Sequence, residues 1–407
     1  MNIIKKSIKK IIRYVGYDIV RYPHIPHIIV RRPHVHSSLI VIRLNAIGKK
    51  RGDVLLSYLN YSFQKSIKNS NIKGHSVFWD SYQIAKIFQK MGFAVDIINH
   101  INHQFKVKKK YDIFFDYGIN QNIFLPKYQM RSKNILLLGR AFEEYQHSAE
   151  LSRIQEFEKR KHCYYQPKRL EPAGLIARKR LQMANILLLH GNDWTLSTYP
   201  KEYQKKITLV KPSISFIKPK KLSYNYPLQK DFLFMFNRGA VHKGLDLVLD
   251  FFIKNKQYKL NILGHIDEPD FLYPYQHQLR HAKHIIFHGF LRPDKKKFIS
   301  IINKCFCFIS PSCSEGCSTA TATAMAAGLF PIISKQNGID LPKNAGLYLP
   351  NLSEDAIANA VHKVYNMDKK TLLSQTMACQ ELALKEYSRE AFDKNMTRVI
   401  QQATKHI

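Results

Sequence analysis

The sequence predicts an α/β protein built from two Rossmann-like domains whose parallel sheets face each other across a cleft. Three observations predict it. Short apolar runs rich in Ile, Leu, Val and Phe alternate with helical stretches, the pattern of parallel strands joined by crossover helices. The pattern stops and restarts around the segment Lys211–Lys230, which holds three prolines and reads as a hinge. The length, 407 residues, exceeds what one core usually organises. The expected division is 1–33, an N-terminal device; 34–210, a first Rossmann-like domain; 211–230, the hinge; 231–387, a second Rossmann-like domain; and 388–407, a terminal helix.

Residues 1–22 place Ile4, Ile8, Ile11, Ile12, Val15 and Ile19 at helical spacing, with Lys5, Lys6, Lys9, Lys10 and Arg13 on the other face. Two readings stay open: a helix lying in an anionic membrane surface, or a helix packed on the protein with a solvated lysine face. Pro23 to Pro33 reads as a linker. In the first domain the strand candidates are Val54–Leu59, Val95–Ile98, Ile113–Phe115, Asn134–Leu138 and Ile186–Leu189. Gly74 precedes a helix signal, Ser81–Met91, that closes at Gly92. In the second domain the candidates are Phe232–Phe236, Leu260–Leu263, Ile285–Phe287, Cys305–Ile309 and Phe330–Ile333. The last helix signal runs from Ser388 to Ala403.

Composition narrows the function. No apolar run approaches the ~18 residues of a membrane span, and the basic N-terminus lacks the apolar core and cleavage site of a signal peptide. A cytoplasmic location follows as the expectation, with peripheral contact at the inner membrane face as the role open to residues 1–22. Net charge is +34, from 64 Lys and Arg against 30 Asp and Glu, which favours anionic partners. No signature of a nucleic-acid-binding module occurs, and nucleic acid is not an expected partner. Cys305, Cys307, Cys313 and Cys317 crowd thirteen positions, but their spacing is not that of a zinc site, and Cys305 and Cys307 alternate with phenylalanines as core residues do.

The richest stretch is Pro311-Ser312-Cys313-Ser314-Glu315-Gly316-Cys317-Ser318, between a strand and a helix that ends at Gly328. A loop at the carboxyl end of a parallel strand is where open α/β sheets bind ligands, and the helix after it aims unpaired N–H groups at an anion. The carboxylate Glu315 sits there among small residues, which let a sugar or phosphate approach the backbone. Complementing the helix dipole is its competing role, as N-capping is for Ser318 and Thr319. A second loop, Phe236-Asn237-Arg238-Gly239-Ala240-Val241-His242-Lys243-Gly244, offers a planar cationic fork and a point charge.

Ser-Glu-Gly followed by Ala324-Met325-Ala326-Ala327-Gly328-Leu329-Phe330-Pro331 resembles the donor site of GT-B glycosyltransferases of the retaining group 4 type. Their Glu-x7-Glu has Glu315 in its first place and Thr323 in its second. The resemblance spans about Val54 to Tyr387 and includes Gly74-His75-Ser76-Val77-Phe78-Trp79-Asp80 and Gly92-Phe93-Ala94-Val95 in the first domain. It implies a metal-independent hexosyltransferase without cofactor, moving a sugar with retention from a nucleotide-sugar to a saccharide or lipid-linked acceptor, in assembly of bacterial surface polysaccharide. It implies donor contacts at Arg238, Lys243, Gly264, Gly289, Leu291, Glu315, Gly316, Cys317, Ser318, Thr319 and Thr323. Gly74, His75 and Glu144 fall on the acceptor side, and Glu315, Lys243 and His147 are the catalytic candidates. Another GT-B activity, such as a sugar-nucleotide epimerase, and a non-catalytic membrane-surface or nucleic-acid-binding protein on the same scaffold are the alternatives.

Overall fold

A computed structural model gives the architecture; it describes residues 17–20, 28–31, 39–63, 74–167, 170, 175–228 and 230–405. The first domain holds a seven-stranded sheet of order β3-β5-β4-β6-β7-β8-β9. Its strands are β3 (Ile42–Leu44), β4 (Gly52–Tyr58), β5 (Phe93–Asn99), β6 (Ile113–Asp116), β7 (Lys133–Leu138), β8 (Ile186–Leu189) and β9 (Ile207–Leu209). All pairings are parallel except β3 with β5. Buried runs such as Val54, Leu55 and Leu56 suit strands covered on both faces.

The second domain holds a six-stranded parallel sheet of order β12-β11-β10-β13-β14-β15. These strands are β10 (Asp231–Met235), β11 (Leu260–Leu263), β12 (Ile285–Phe287), β13 (Cys305–Ser310), β14 (Phe330–Ile333) and β15 (Leu347–Tyr348). The strand order reverses between β10 and β13, which opens a crevice at their carboxyl ends. Two parallel-sheet α/β domains are therefore the observed fold class.

The chain passes between the domains twice. The segment after β9 runs beside the end of the second domain, where the Ile214 N–H donates to the Tyr387 carbonyl at 2.9 Å. Helix Arg389–Ala403 then buries Phe392, Met396 and Ile400 in the core that holds Val54, Ile84 and Phe115. A third link is helix Glu143–Lys161. Its first turn pairs with the first domain, Glu143 with Arg180 and Glu144 with Arg178. Its last turns enter the second, where Phe157 is fully buried and stacks on Phe271.

Two expectations change. The helical pattern of residues 1–22 does not extend to its end, because Tyr17–Val20 (β1) pairs antiparallel with Ile28–Arg31 (β2). Both segments are rich in β-branched residues, which favour strands over helices. The expected Pro23–Pro33 linker thus contains a strand; residues 1–16 lie outside the described residues. The short strands β3, β9 and β15 add to the expected sheets. Among the described residues, no helix is long and apolar enough to cross a membrane.

Candidate functional site

A cavity of about 400 Å³ lies in the crevice beyond β10, β11 and β13, with Gly74, His75 and Ser76 of the first domain on its far wall. The strand ends deliver its polar groups. β10 runs into the loop Asn237–Gly244, which supplies Arg238 and Lys243; β13 runs into the loop with Glu315. Gly244 takes φ of 75°, and a Cβ there would lie 2.4 Å from the Pro311 carbonyl oxygen. Glycine is thus what lets the two loops touch.

That approach joins Lys243 and Glu315 in an ion pair, 72 positions apart in sequence and both mostly buried. The same Glu315 oxygen, Oε1, accepts from the Ser312 hydroxyl at 2.8 Å and lies 3.8 Å from His242 Nε2. His242 Nδ1 sits 2.8 Å from Glu150 Oε1, a carboxylate of the domain-linking helix, and Gln146 Nε2 donates to that oxygen at 2.9 Å. A chain of polar groups therefore runs from the domain-linking helix to the cavity.

The helix after Glu315, Thr319–Ala326, is capped by Ser318, whose hydroxyl accepts from the Thr321 N–H at 3.3 Å. Thr319 and Ala320 line the cavity, and N–H groups of a first turn have no intrahelical acceptor. Cys317, Ser318 and Thr323 also line it. The Thr323 hydroxyl donates to the Thr319 carbonyl at 2.6 Å, which leaves its oxygen as an acceptor. Burial pushes the Cys317 thiol up to about 12, so it is a neutral wall. Gly264 and Leu291 complete this side. Gly264 has φ of 151°, and a Cβ there would meet the Phe236 carbonyl oxygen at 2.3 Å.

Four expected residues stand elsewhere. The Gly289 carbonyl accepts from the Gly264 N–H at 3.0 Å, behind the wall. Gly316 lies in the domain seam, its carbonyl accepting from Thr195 Oγ1 at 2.6 Å. Glu144 pairs with Arg178 near the surface, and His147, half-buried on the same helix, is outside the cavity lining. Gln146 and Glu150, at helical spacing, are the residues this helix turns toward His242. On the far wall, burial lowers the His75 pKa, so its imidazole is neutral. Gly74 approaches Arg292 of the second domain so closely that a Cβ would lie 2.9 Å from its Nε.

The sequence reading missed Glu150, Ser312 and the placement of His242. Glu150, Arg153 and Phe157 recur at helical spacing, but one face of a helix does not say which domain covers it. Cys305 and Cys307 are buried within β13, and the described cysteines are all free.

Residues 218–375 match the family described as glycosyl transferases group 1. No curated protein sequence matches the chain. Among solved structures, sucrose-phosphate synthase from Thermosynechococcus elongatus is similar at 12% identity, over 87% of this chain and 99% of that one, with a TM-score of 0.60. A glycosyltransferase from Rickettsia africae is similar at 12% identity, over 89% and 100%, with a TM-score of 0.58. HepE from Anabaena, in a complex with UDP and glucose, is similar at 10% identity, over 87% and 99%, with a TM-score of 0.55. These likenesses establish the two-domain GT-B fold.

Proposed function

We propose that this chain, whose residues 218–375 match the glycosyl transferases group 1 family, moves a hexose from a nucleotide-sugar to a saccharide or lipid-linked acceptor, with retention, in assembly of a bacterial surface polysaccharide. The observation that carries the reading is the meeting of Lys243 and Glu315 at the mouth of the β10/β13 crevice. A departing nucleoside diphosphate gains negative charge as the glycosidic bond breaks. Fixed cations and N–H dipoles in a water-poor site stabilise that charge without reorganising. Lys243, Arg238 and the first turn of helix Thr319–Ala326 are the groups for this task. Glu315 shares Oε1 with Lys243 and Ser312, and its Oε2 is assigned to a hydroxyl of the donor sugar.

The acceptor enters from the side of Gly74 and His75. The basic residues before β1 are assigned to contact with an anionic membrane surface, where a lipid-linked acceptor resides. No metal is needed, since cations of the chain meet the diphosphate; transfer should persist in EDTA, and loss reversed by manganese or magnesium would refute this. The reading itself is tested by thermal shift against a panel of nucleotide-sugars and by product formation with the one that stabilises most. Steep salt-dependent nucleic-acid binding with no nucleotide affinity would instead favour a non-catalytic scaffold.

A further inference from the structure

The loop that carries Arg238 and Lys243 is held from beneath by an acidic side chain. Glu268 follows β11 and is 3% exposed. Its Oε1 accepts from the Gly239 N–H at 3.0 Å and its Oε2 from the Ala240 N–H at 2.9 Å. Gly239 has φ of 77°, the left-handed conformation that points successive N–H groups to one side as an anion nest. A third donor is the Tyr165 hydroxyl, 3.0 Å from Oε2. Burial, then the charge of Glu268, raises the Tyr165 pKa, so the hydroxyl keeps its proton and donates. A buried carboxylate is costly unless satisfied in this way.

Tyr165 follows helix Glu143–Lys161, which begins in the first domain. The same helix holds the loop through Glu150 on His242, and the helix that follows the loop through Arg153 on Asp246, 2.6 Å away. Lys243 lies between those two grips.

Resting on the nucleotide-sugar reading above, we propose that Glu268 is a positioning residue that holds the Asn237–Gly244 loop in its diphosphate-receiving form, and that Tyr165 ties that form to the seating of the first domain on the second. Glu268 is not among the groups lining the cavity; it acts through Gly239 and Ala240. Its charge occupies the nest from below, so Arg238 and Lys243 are presented above, toward the crevice. Separation of the domains would withdraw Tyr165, loosen the loop and weaken donor affinity, so donor binding and domain seating are coupled.

The test is calorimetry of the full chain and two variants with inorganic pyrophosphate, UDP, ADP and GDP. Glu268→Gln keeps the shape but turns one acceptor into a donor; binding should weaken about tenfold, the loss of one charged hydrogen bond. Tyr165→Phe should weaken it about two- to fivefold, a neutral hydroxyl's share. Both losses should be equal for pyrophosphate and for the preferred nucleotide, since nucleobase contacts are untouched, and should appear in the donor KM more than in kcat. A general loss of structure would not produce that equality or that split. Should Glu268→Gln fail to fold, Tyr165→Phe alone decides. Variants that bind like the parent overturn the proposal and leave the nucleotide-sugar reading standing. A parent that binds none of the four probes overturns the reading, and the proposal with it.

Discussion

Glu150 and His242 meet at 2.8 Å across the two domains, with side chains 1% and 3% exposed. The imidazole sits between that carboxylate and Glu315, whose Oε1 lies 3.8 Å from Nε2. The cationic loop of the second domain is thus completed by a residue of a helix that starts in the first. Neither domain alone contains the finished site.

Asp246 is the anchor of that seam. It is fully buried and pairs with both Arg153 and Arg160, while Asp250 pairs with Arg160 and Lys161. Removing Asp246 leaves the buried Arg153 guanidinium only the exposed Glu156 as its carboxylate partner, so its charge is poorly compensated. Asp246→Ala should therefore destabilise the protein by about 3–5 kcal/mol in urea unfolding. A loss below about 1 kcal/mol, the level of an exposed pair, would show that the network is solvated in solution.

Lys243→Ala should weaken nucleoside-diphosphate binding by roughly 1.5–3 kcal/mol, the range for hydrogen bonds to a charged group. Glu315→Ala should lower turnover while the melting transition stays cooperative, because its contacts serve the cavity more than the core. Full transfer activity in both variants would remove the pair from the donor site.

Thr323 lies in the cavity wall with its hydroxyl proton committed to the Thr319 carbonyl. Its one neutral oxygen cannot hold both hydroxyls of a ribose with two separate oxygens and a full charge, as a carboxylate would. Thr323→Glu should therefore tighten binding of the preferred nucleoside diphosphate by about 1 kcal/mol or somewhat more, read by calorimetry. Unchanged or weaker binding would mean that the ribose lies elsewhere.

Asp80 is buried where the two crossings of the chain meet the first domain, and burial pushes its pKa up to about 7 against the hydrogen bonds of Ser213 and the charge of Arg389. Its ordinary value is 3.8, so the folded protein binds the proton more tightly than the unfolded chain does. Its stabilising share is present below about pH 4 and is lost as pH rises toward 7, at about 1.4 kcal/mol per pH unit. Asp80→Asn should remove that slope. Urea unfolding of parent and variant at a series of pH values checks it; parallel curves would show that Asp80 does not titrate in this range.

The strands and the loops that follow them are legible in the order of residues alone. Ile186–Leu189, Leu260–Leu263, Ile285–Phe287 and Phe330–Ile333 are strands residue for residue, because apolar runs too short for a helix and bounded by turn signals suit strands covered on both faces. Once β10 and β13 are legible, Lys243 and Glu315 must lie at strand ends, where such sheets bind ligands. What those loops touch depends on how distant segments pack. Apolar spacing along Glu143–Lys161 says that one face is buried, but not that Phe157 enters the second core while Glu143 stays with the first. It likewise left open that Glu150 would reach His242 and that Glu268 would fill the nest at Gly239 and Ala240. The pairing of Tyr17–Val20 with Ile28–Arg31 overrode a helical spacing for the same reason. Local periodicity encodes which side of an element leaves water; the partner on that side is set by packing between segments far apart in sequence, which no local pattern records.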